Sequence, residues 1–303
     1  MTKGTEMNDA EQRAALVPGS ISAVINTRNA ALHLDKVLSA VAPWVDQIVV
    51  ADMDSSDNTV AIALRHGAVI VSLPALGFPE AGIPAALEAA TGEWVIRIDA
   101  DEIVPRPLAE RLVEVVGHNE ADVVFVPRRN WLAGRPFEHG SFGPDNDRVP
   151  RFFRQGFMEH VITIHGHHRP AEAARVLQLA DEEGWRARGV FLEHFSYLGV
   201  GDLVTRAVRY SGNEAEQMAS ASRRRAFFRS LVYIPVELFG RMAVKRGWKD
   251  GRVGILMAAN SALYSAIRAM HLAQRLWFAD DDEILRIYEQ RAQELQAAWE
   301  HED

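Results

Sequence analysis

The chain has 303 residues, 48% of them hydrophobic, and a formal net charge of −8, so it can bury a sizeable core and is a poor candidate for a nucleic-acid-binding protein. It has no cysteine, which excludes disulfides and thiolate metal sites and suits a reducing cytoplasm. Residues 1–19 are polar and predict a flexible N-terminal arm that is not a secretory signal, and the longest charge-free apolar run, 253–267, is shorter than the ~20 residues of a membrane-spanning helix.

The next hundred residues alternate between strand and helix patterns. Runs rich in valine and isoleucine predict strands, and residues with helical spacing predict helices between them. The predicted strands are 21–26, 47–51, 68–72, 94–99 and 121–127, and the predicted helices are 30–41, 59–66, 79–90 and 107–116. This alternation predicts an α/β fold with a doubly wound, mostly parallel, Rossmann-like sheet and right-handed crossovers.

The pattern changes after Pro127. Residues 128–188 are rich in glycine, proline, histidine and aromatics, and they predict loops and short antiparallel strands at the functional edge of the sheet. A further strand is expected at 190–197, followed by a helical C-terminal region with breaks near 219–222, 247–251 and 279–282. We therefore expect four parts: the arm 1–19, an α/β half 20–127, a second half 128–200 and a helical region 201–303.

Three carboxylates stand together where the 94–99 strand ends: Asp99, Asp101 and Glu102. Like charges at ~4 Å repel by roughly 1 kcal/mol in water and by more near a protein surface, and a hard divalent cation removes that cost. Because ligands bind at the carboxyl ends of strands in open α/β sheets, the Asp-x-Asp pattern predicts a metal that carries a phosphorylated ligand. A solvated acidic turn or a helix N-cap is the alternative interpretation.

A basic stretch lies in the helical region. Residues 223–252 carry nine basic and two acidic side chains, a net charge of +7, with large apolar residues between them. Such a stretch is typical of an element that contacts a membrane surface or anionic lipid. The alternative is a solvated helix face over an ordinary core, with the basic residues paired to Glu289, Glu294 or other acids of the last helix.

An ordered set of motifs resembles a known family. The motifs are 21–29, 48–59, 90–94, 99–102, 151–154, His165, 194–197 and 245–251. Together they resemble the inverting family-2 glycosyltransferases of GT-A fold, and most of all the bacterial branch that builds lipopolysaccharide core and other envelope glycans. The resemblance implies a GT-A fold and transfer of a sugar from a nucleotide-diphosphate sugar, with a UDP-sugar favoured, to a glycan, lipid-linked or small-molecule acceptor. It also implies Mn²⁺ or Mg²⁺ as cofactor, and a cytoplasmic location or one at the inner face of the cell membrane.

The resemblance assigns expected roles to single residues. Asp99 and Asp101 match the metal-binding Asp-x-Asp motif, with Asp99 also on the donor, and His194 is the expected further ligand unless it is an ordinary hydrogen-bonded histidine. Asp52 matches the aspartate that reads the nucleotide base, whereas Asp57 is expected to cap the following helix. The remaining expected contacts to the nucleotide sugar are Asn26, Arg28, Arg151 and Arg154.

The base that deprotonates the acceptor stays open, with Glu102, Glu159, His165 and Glu193 as candidates. The chain departs from the family where Gly82-Ile-Pro-Ala85 replaces a polar Arg-Asn, and where Gly166 replaces a glutamate. A non-catalytic nucleotide-sugar-binding or membrane-associated scaffold protein with a degenerate fold is therefore the alternative to an enzyme. A nucleotidyltransferase would need a glycine-rich phosphate loop near the first strand, and 26–29 is not one.

Overall fold

The computed structural model describes residues 17–75, 79–159, 168–278 and 281–300. The chain divides into two compact units, one ending at Tyr197 and the other beginning at Leu198. Most of the predicted arm lies outside the described residues, and residues 17–19 already belong to the first strand.

The first unit is built on a mixed β-sheet. Its strands are β1 (Val17–Thr27), β2 (Gln47–Met53), β3 (Val69–Leu73), β4 (Gly92–Asp99), β5 (Glu102–Ile103), β6 (Val123–Leu132), β7 (Arg135–Pro136), β8 (Arg148–Arg154), β9 (Met158–Glu159), β10 (Arg169–Pro170), β11 (Val176–Gln178) and β12 (Leu192–Tyr197). Its helices are α1 (Leu34–Val41), α2 (Thr59–Arg65), α3 (Ile83–Glu88), α4 (Arg106–His118) and α5 (Trp185–Arg188). The order in the main sheet is β3-β2-β1-β4-β8-β6-β12-β5, and strands β1 to β4 pair in parallel. Strands β9 and β10 form a separate antiparallel pair. The predicted α/β fold is confirmed.

Strand β8 makes the sheet mixed, because it lies between β4 and β6 and is antiparallel to both. It is one of the short antiparallel strands predicted after Pro127. Strand β6, however, runs through the boundary expected at 127, since Arg128–Leu132 continue its pairing with β12 and β7. The first five predicted strands therefore join the later segment in one sheet.

The strands are apolar on both faces because helices and loops cover both. Residues 49–53 of β2 are all buried, and β4 buries Val95, Ile96 and Ile98. The indole of Trp94 stacks on Phe152 of the neighbouring β8 at 4.9 Å between ring centroids. On one face, α1 contributes a fully buried apolar stripe to the core, Leu34, Val37, Leu38 and Val41. This packing fixes the carboxyl ends of β1, β2 and β4 side by side.

The second unit contains four helices: α6 (Val200–Gln217), α7 (Ser220–Phe239), α8 (Arg252–Trp277) and α9 (Asp281–Glu300). The helical C-terminal region is therefore confirmed. A π-helical turn, Gly240–Val244, and a 3₁₀ turn, Gly247–Asp250, connect α7 to α8. This connection is tight: a Cβ atom on Gly254 would lie 1.9 Å from the carbonyl oxygen of Gly247. Only glycine fits at position 254 in this backbone.

Helix α8 is, by length and composition, long and apolar enough to cross a membrane. Core helices of soluble proteins meet the same criterion. Within the second unit, α8 packs through Val253, Met257 and other small and apolar residues. Its Arg268 donates to Ser230 Oγ of α7 at 2.9 Å and pairs with Glu214 of α6 at 3.3 Å. These contacts are those of a helix within a bundle.

Candidate active site

The loops that follow β1 and β2 are hydrogen-bonded to each other at the carboxyl edge of the sheet. The Asn29 N–H donates to Ser55 Oγ at 2.8 Å, and Asn29 Oδ1 accepts the Ser56 N–H at 2.8 Å. Asn29 and Asp54 both adopt left-handed backbone conformations, which asparagine and aspartate tolerate best after glycine. The two loops therefore form one connected surface beside the strand ends.

Asp52 is the centre of this loop surface. The carboxylate is buried and accepts hydrogen bonds from Ser55 Oγ at 2.6 Å, from the Ser55 N–H at 3.1 Å and from Thr27 Oγ1 at 3.2 Å. Because Oδ2 has one of these donors and Oδ1 has two, Oδ2 retains capacity for a further donor. The geometry is compatible with the predicted contact to a base N–H.

Other residues predicted around the nucleotide occupy the same edge. Asn26 is buried on β1, and it pairs in register with Asp99 of β4 on one side and with Ala51 of β2 on the other. Arg28 follows on the loop and is exposed. Asp57 accepts the N–H of Thr59, the first residue of α2, at 3.0 Å, and the N–H of Ala31 at 3.1 Å. The N-cap position itself is Asn58, one residue after the expected Asp57, and Asp57 instead joins the helix start to the loop after β1.

Arginines provide positive charge beside the carboxylate cluster, for which the sequence had suggested a divalent metal ion. The Arg151 guanidinium donates to Asp99 Oδ2 and, at 2.6 Å, to Glu102 Oε1. Arg128 donates to the same Glu102 oxygen at 2.9 Å. Arg97 lies 3.8 Å from Asp99 Oδ1. Arg151 was expected on a phosphate group, yet its buried guanidinium is engaged by these carboxylates.

The ion pairs set the protonation of the cluster. Burial raises the pKa of Glu102, but the guanidinium groups of Arg151 and Arg128 outweigh it and hold that pKa below its usual value. At Asp99, burial also raises the pKa, but the guanidinium groups of Arg151 and Arg97 outweigh it, so this pKa is lowered as well. Both carboxylates are therefore ionised well below neutral pH.

Two of the candidates for the base are occupied in the structure. Glu102 has no exposed surface, and besides its two arginines it accepts the Asp99 N–H at 2.9 Å. Glu193 pairs with Arg129 and accepts the Trp131 indole N–H at 2.6 Å. Both carboxylates are thus engaged by arginine, and the buried Glu102 cannot reach an acceptor. His165 lies outside the described residues.

Arg154 is not brought to the site. It pairs with Trp94 near the start of β4, whereas Asp99 ends that strand. Five residues of strand separate the two positions by ~16 Å. The Arg154 guanidinium lies over the Trp94 ring and 3.3 Å from Glu93. In the structure, Arg154 therefore contacts Trp94 and Glu93 within the sheet instead of the predicted donor.

Asp101 and His194 face each other. The Nε2 atom of His194 lies 3.4 Å from Asp101 Oδ1, and both side chains are partly exposed. Strand β12 places His194 opposite Glu102 of β5, which follows the Asp-x-Asp motif directly. Two neighbouring ligands of one octahedral ion, each ~2.1 Å from it, lie ~3 Å apart, so the pair fits Mn²⁺ or Mg²⁺.

The pair does not form a complete metal site. Among the described residues no group of three histidine, aspartate or glutamate side chains is arranged to hold an ion. Mg²⁺ and similar ions in phosphate sites take one or two protein ligands and complete their shell with phosphate and water. Asp99, which was also expected as a ligand, is instead bound by Arg151.

Two polar residues behind this pair were not identified from the sequence. Asn130 Oδ1 lies 2.6 Å from His194 Nδ1, and the amide nitrogen of Asn130 donates to Asp147 Oδ2 at 2.6 Å. Asp147 in turn accepts from Arg128 at 3.0 Å. The only signal in the sequence is the polar run Arg128-Arg129-Asn130 directly after an apolar strand, which was interpreted as the start of a loop.

Comparison with known proteins finds relatives that are named as glycosyltransferases. An uncharacterized glycosyltransferase of Rickettsia felis is 24% identical over 269 residues, covering 84% of this chain and 88% of that protein. The lipopolysaccharide core biosynthesis glycosyltransferase LpsC of Rhizobium meliloti is 27% identical over 263 residues, covering 84% and 92%.

Among solved structures, the chain is similar to glucosyl-3-phosphoglycerate synthase of Mycobacterium tuberculosis in complex with Mn²⁺, UDP and glucosyl-3-phosphoglycerate. The sequence identity is 25% and the TM-score 0.32, over 44% of this chain and about half (51%) of that chain. Residues 22–169 match the family described as Glycosyl transferase family 2. The site at the ends of β1, β2 and β4 lies within this match.

Proposed function

We propose that this protein transfers a sugar from a nucleotide-diphosphate sugar, with a UDP-sugar favoured, to an acceptor hydroxyl, with inversion at the anomeric carbon and with help from Mn²⁺ or Mg²⁺. The observation that carries the proposal is the approach of Asp101 and His194 at the carboxyl end of β4, where Asp101 lies in the segment that matches glycosyl transferase family 2. The named function of LpsC favours an acceptor in envelope-glycan synthesis, either a glycan or a lipid-linked one.

The proposal gives a role to each of the following site residues. Asp52 accepts from the base, and Asn26 and Arg28 flank the nucleotide at the end of β1. Asp101 and His194 would hold a divalent metal ion, and such an ion would supply positive charge beside the diphosphate leaving group. Asp99 faces the donor beside Arg151, and His165 stays the proposed base. A single displacement needs no covalent intermediate on the enzyme.

Binding of nucleoside diphosphates tests the proposal. A ligand at about 100 times its dissociation constant stabilises a protein by ~2.7 kcal/mol, which raises the melting temperature of a domain of this size by roughly 5–10 °C. We expect UDP with Mn²⁺ to give such a shift. The Asp52→Asn variant should lose most of it, because the amide has no negative charge and puts an NH₂ donor in place of one acceptor oxygen.

Asp54→Asn is the matched control, since it makes the same chemical change at an exposed position two residues away. It should keep the wild-type shift. No shift with any nucleoside diphosphate, with or without Mn²⁺, would contradict the proposal. A shift without hydrolysis of any nucleotide sugar would instead favour the non-catalytic scaffold.

We also propose peripheral contact with the inner face of the cell membrane through residues 223–252. Within the described part of the second unit, Arg241 pairs with Glu237, and the other eight basic side chains of this stretch make no ion pair. Glu294 pairs with Arg291, so it does not neutralise the stretch. An exposed apolar stripe runs along α7, formed by Phe228, Val232, Val236 and Phe239, and the first half of the same helix carries four arginines. Exposed apolar surface beside basic residues favours an anionic lipid surface.

Sedimentation with lipid vesicles tests this contact. The protein should pellet with anionic vesicles at low salt and stay in solution with neutral vesicles or at high salt, because each Lys or Arg contributes ~1 kcal/mol that salt screens. The Phe239→Asp variant should bind less. Tyr288→Asp is the control, since Tyr288 is equally exposed (69% for both) but lies on α9. Equal loss in both variants, or no pelleting at low salt, would rule the contact out.

A further inference from the structure

We infer that Asn130 is a positioning residue that holds His194 in the tautomer needed to bind a metal ion beside Asp101. The inference rests on the proposed function, because it concerns the metal ion of that site. Asn130 lies on β6 and is 3% exposed, so its hydrogen bonds form within the protein. Nothing in the Asp-x-Asp motif or in His194 itself assigns it a role.

Two hydrogen-bond acceptors fix the orientation of the Asn130 amide. Its Nδ2 atom lies 2.6 Å from Asp147 Oδ2 and 2.8 Å from the carbonyl oxygen of Phe142. Both partners only accept hydrogen bonds, so the atom facing them must be the NH₂ group. The amide oxygen must then face the other way, towards His194.

The Asn130 amide oxygen determines which imidazole nitrogen of His194 carries the proton. Asn130 Oδ1 lies 2.6 Å from His194 Nδ1, and a carbonyl oxygen only accepts. A hydrogen bond of this length therefore requires the proton on Nδ1. In the neutral ring, Nε2 then carries the lone pair, and Nε2 is the atom that lies 3.4 Å from Asp101 Oδ1.

Ser196 could set the opposite tautomer, since its Oγ lies 2.9 Å from the same Nδ1. If the hydroxyl donated to Nδ1, the Nδ1 lone pair would face the Asn130 oxygen at 2.6 Å, which is repulsive. The hydroxyl has two other acceptors, Asn130 Oδ1 at 3.1 Å and the His194 carbonyl oxygen at 3.2 Å. It can donate to either without disturbing the ring.

The hydrogen bonds of Asn130 continue into the buried carboxylate cluster. Asp147 is itself held by Arg128, which also binds Glu102, so the orientation of Asn130 is anchored in the buried ion pairs. Hydrogen bonds to the second nitrogen of a metal-binding histidine orient the ring and raise its basicity, and their loss weakens metal binding by ~10–100-fold. We expect that loss for an Asn130 variant.

Nitrogen NMR of metal-free protein tests the tautomer without altering Asn130. In ¹⁵N-histidine-labelled protein, at a pH where the imidazole is neutral, the ring signals of His194 are identified by their absence from a His194→Gln variant. The inference requires the proton on Nδ1. A proton on Nε2 would overturn it.

Metal affinity gives the second readout. We expect Asn130→Leu to weaken Mn²⁺ binding, measured by electron paramagnetic resonance in the presence of UDP, by ~10–100-fold. Ser196→Ala should retain the wild-type affinity, although it removes the other group beside Nδ1. Equal affinities in wild type and Asn130→Leu, or a loss confined to Ser196→Ala, would overturn the inference. Wild-type protein that binds no Mn²⁺ at all would refute the proposed metal site, and the NMR result would still decide the tautomer.

Discussion

Asp101→Asn should abolish sugar transfer while leaving the protein folded. An amide cannot supply the negative charge that holds a divalent cation, and charge stabilisation by a bound metal contributes several kcal/mol to such a transition state, or on the order of a thousandfold in rate. Asp101 is partly exposed and faces His194 at 3.4 Å, with no arginine within ion-pair distance in the described residues. Its loss should change the free energy of unfolding by less than ~1 kcal/mol.

Transfer from UDP-sugar at saturating Mn²⁺, together with thermal unfolding, measures both effects. Asp145→Asn is a suitable control, because it removes a carboxylate of the first unit that pairs with Arg186, at 3.0 Å, and has no role in the site. The control should transfer sugar at the wild-type rate. Full activity of Asp101→Asn with Mn²⁺ present would show that Asp101 does not bind the metal.

Glu102→Gln should have the largest effect on stability. Glu102 is fully buried and accepts from Arg128 and Arg151 through one oxygen. Removing its charge leaves two buried guanidinium groups short of a partner, and breaking a buried ion pair in this way costs ~3–5 kcal/mol. For a unit of this size the melting temperature should fall by about 6–20 °C.

Urea unfolding monitored by tryptophan fluorescence measures this loss, and Glu110→Gln is the matched control. Glu110 pairs with Arg106 at 2.7 Å on the exposed side of α4, with 58% of its side chain accessible. Exposed pairs contribute at most ~1 kcal/mol, so this variant should unfold close to the wild-type midpoint. Similar midpoints for both variants would mean that the Glu102 pairs do not support the fold.

The same ion pairs determine the direction in which the stability of the protein changes with pH. The folded-state pKa values of Glu102 and Asp99 lie below the ordinary values of ~4, because their arginines outweigh burial. Their contribution to stability is therefore fully present above pH ~5 and is lost as the pH falls below ~4 towards the folded-state values. The Glu102→Gln variant should show a weaker loss over this acid range than wild type.

The sequence predicted the strand ends well and the cross-strand contacts poorly. Asp52 and Asp99 could be placed because each directly follows an apolar run, and parallel strands bring their carboxyl ends to one edge. Arg151 and Arg154 show where this reasoning stops. Three residues apart on one strand, they lie ~10 Å apart and on opposite faces, and only the antiparallel register of β8 decides which one meets Asp99.

The sequence also did not indicate which side chains would neutralise the carboxylates of residues 99–102. Repulsion within 99–102 correctly indicated that positive charge was required, but not that Arg128 and Arg151, 26 and 49 residues from Glu102, would supply it. Contacts over such distances depend on strand order, which single-sequence patterns do not specify. His194 was proposed from the resemblance, whereas Asn130 has no local pattern that marks it.

The contact between Gly254 and Gly247 offers a way to recognise related chains that does not depend on catalytic chemistry. Even alanine at position 254 would need the backbone to move, since its Cβ would overlap a carbonyl oxygen. A Cβ atom on Gly247 would in turn lie 2.8 Å from the carbonyl oxygen of Arg241, so homologues that keep this turn should keep both glycines at a separation of seven residues. A glycine pair at that spacing, downstream of a family-2 domain, would mark the same helix connection in sequences whose acceptors differ.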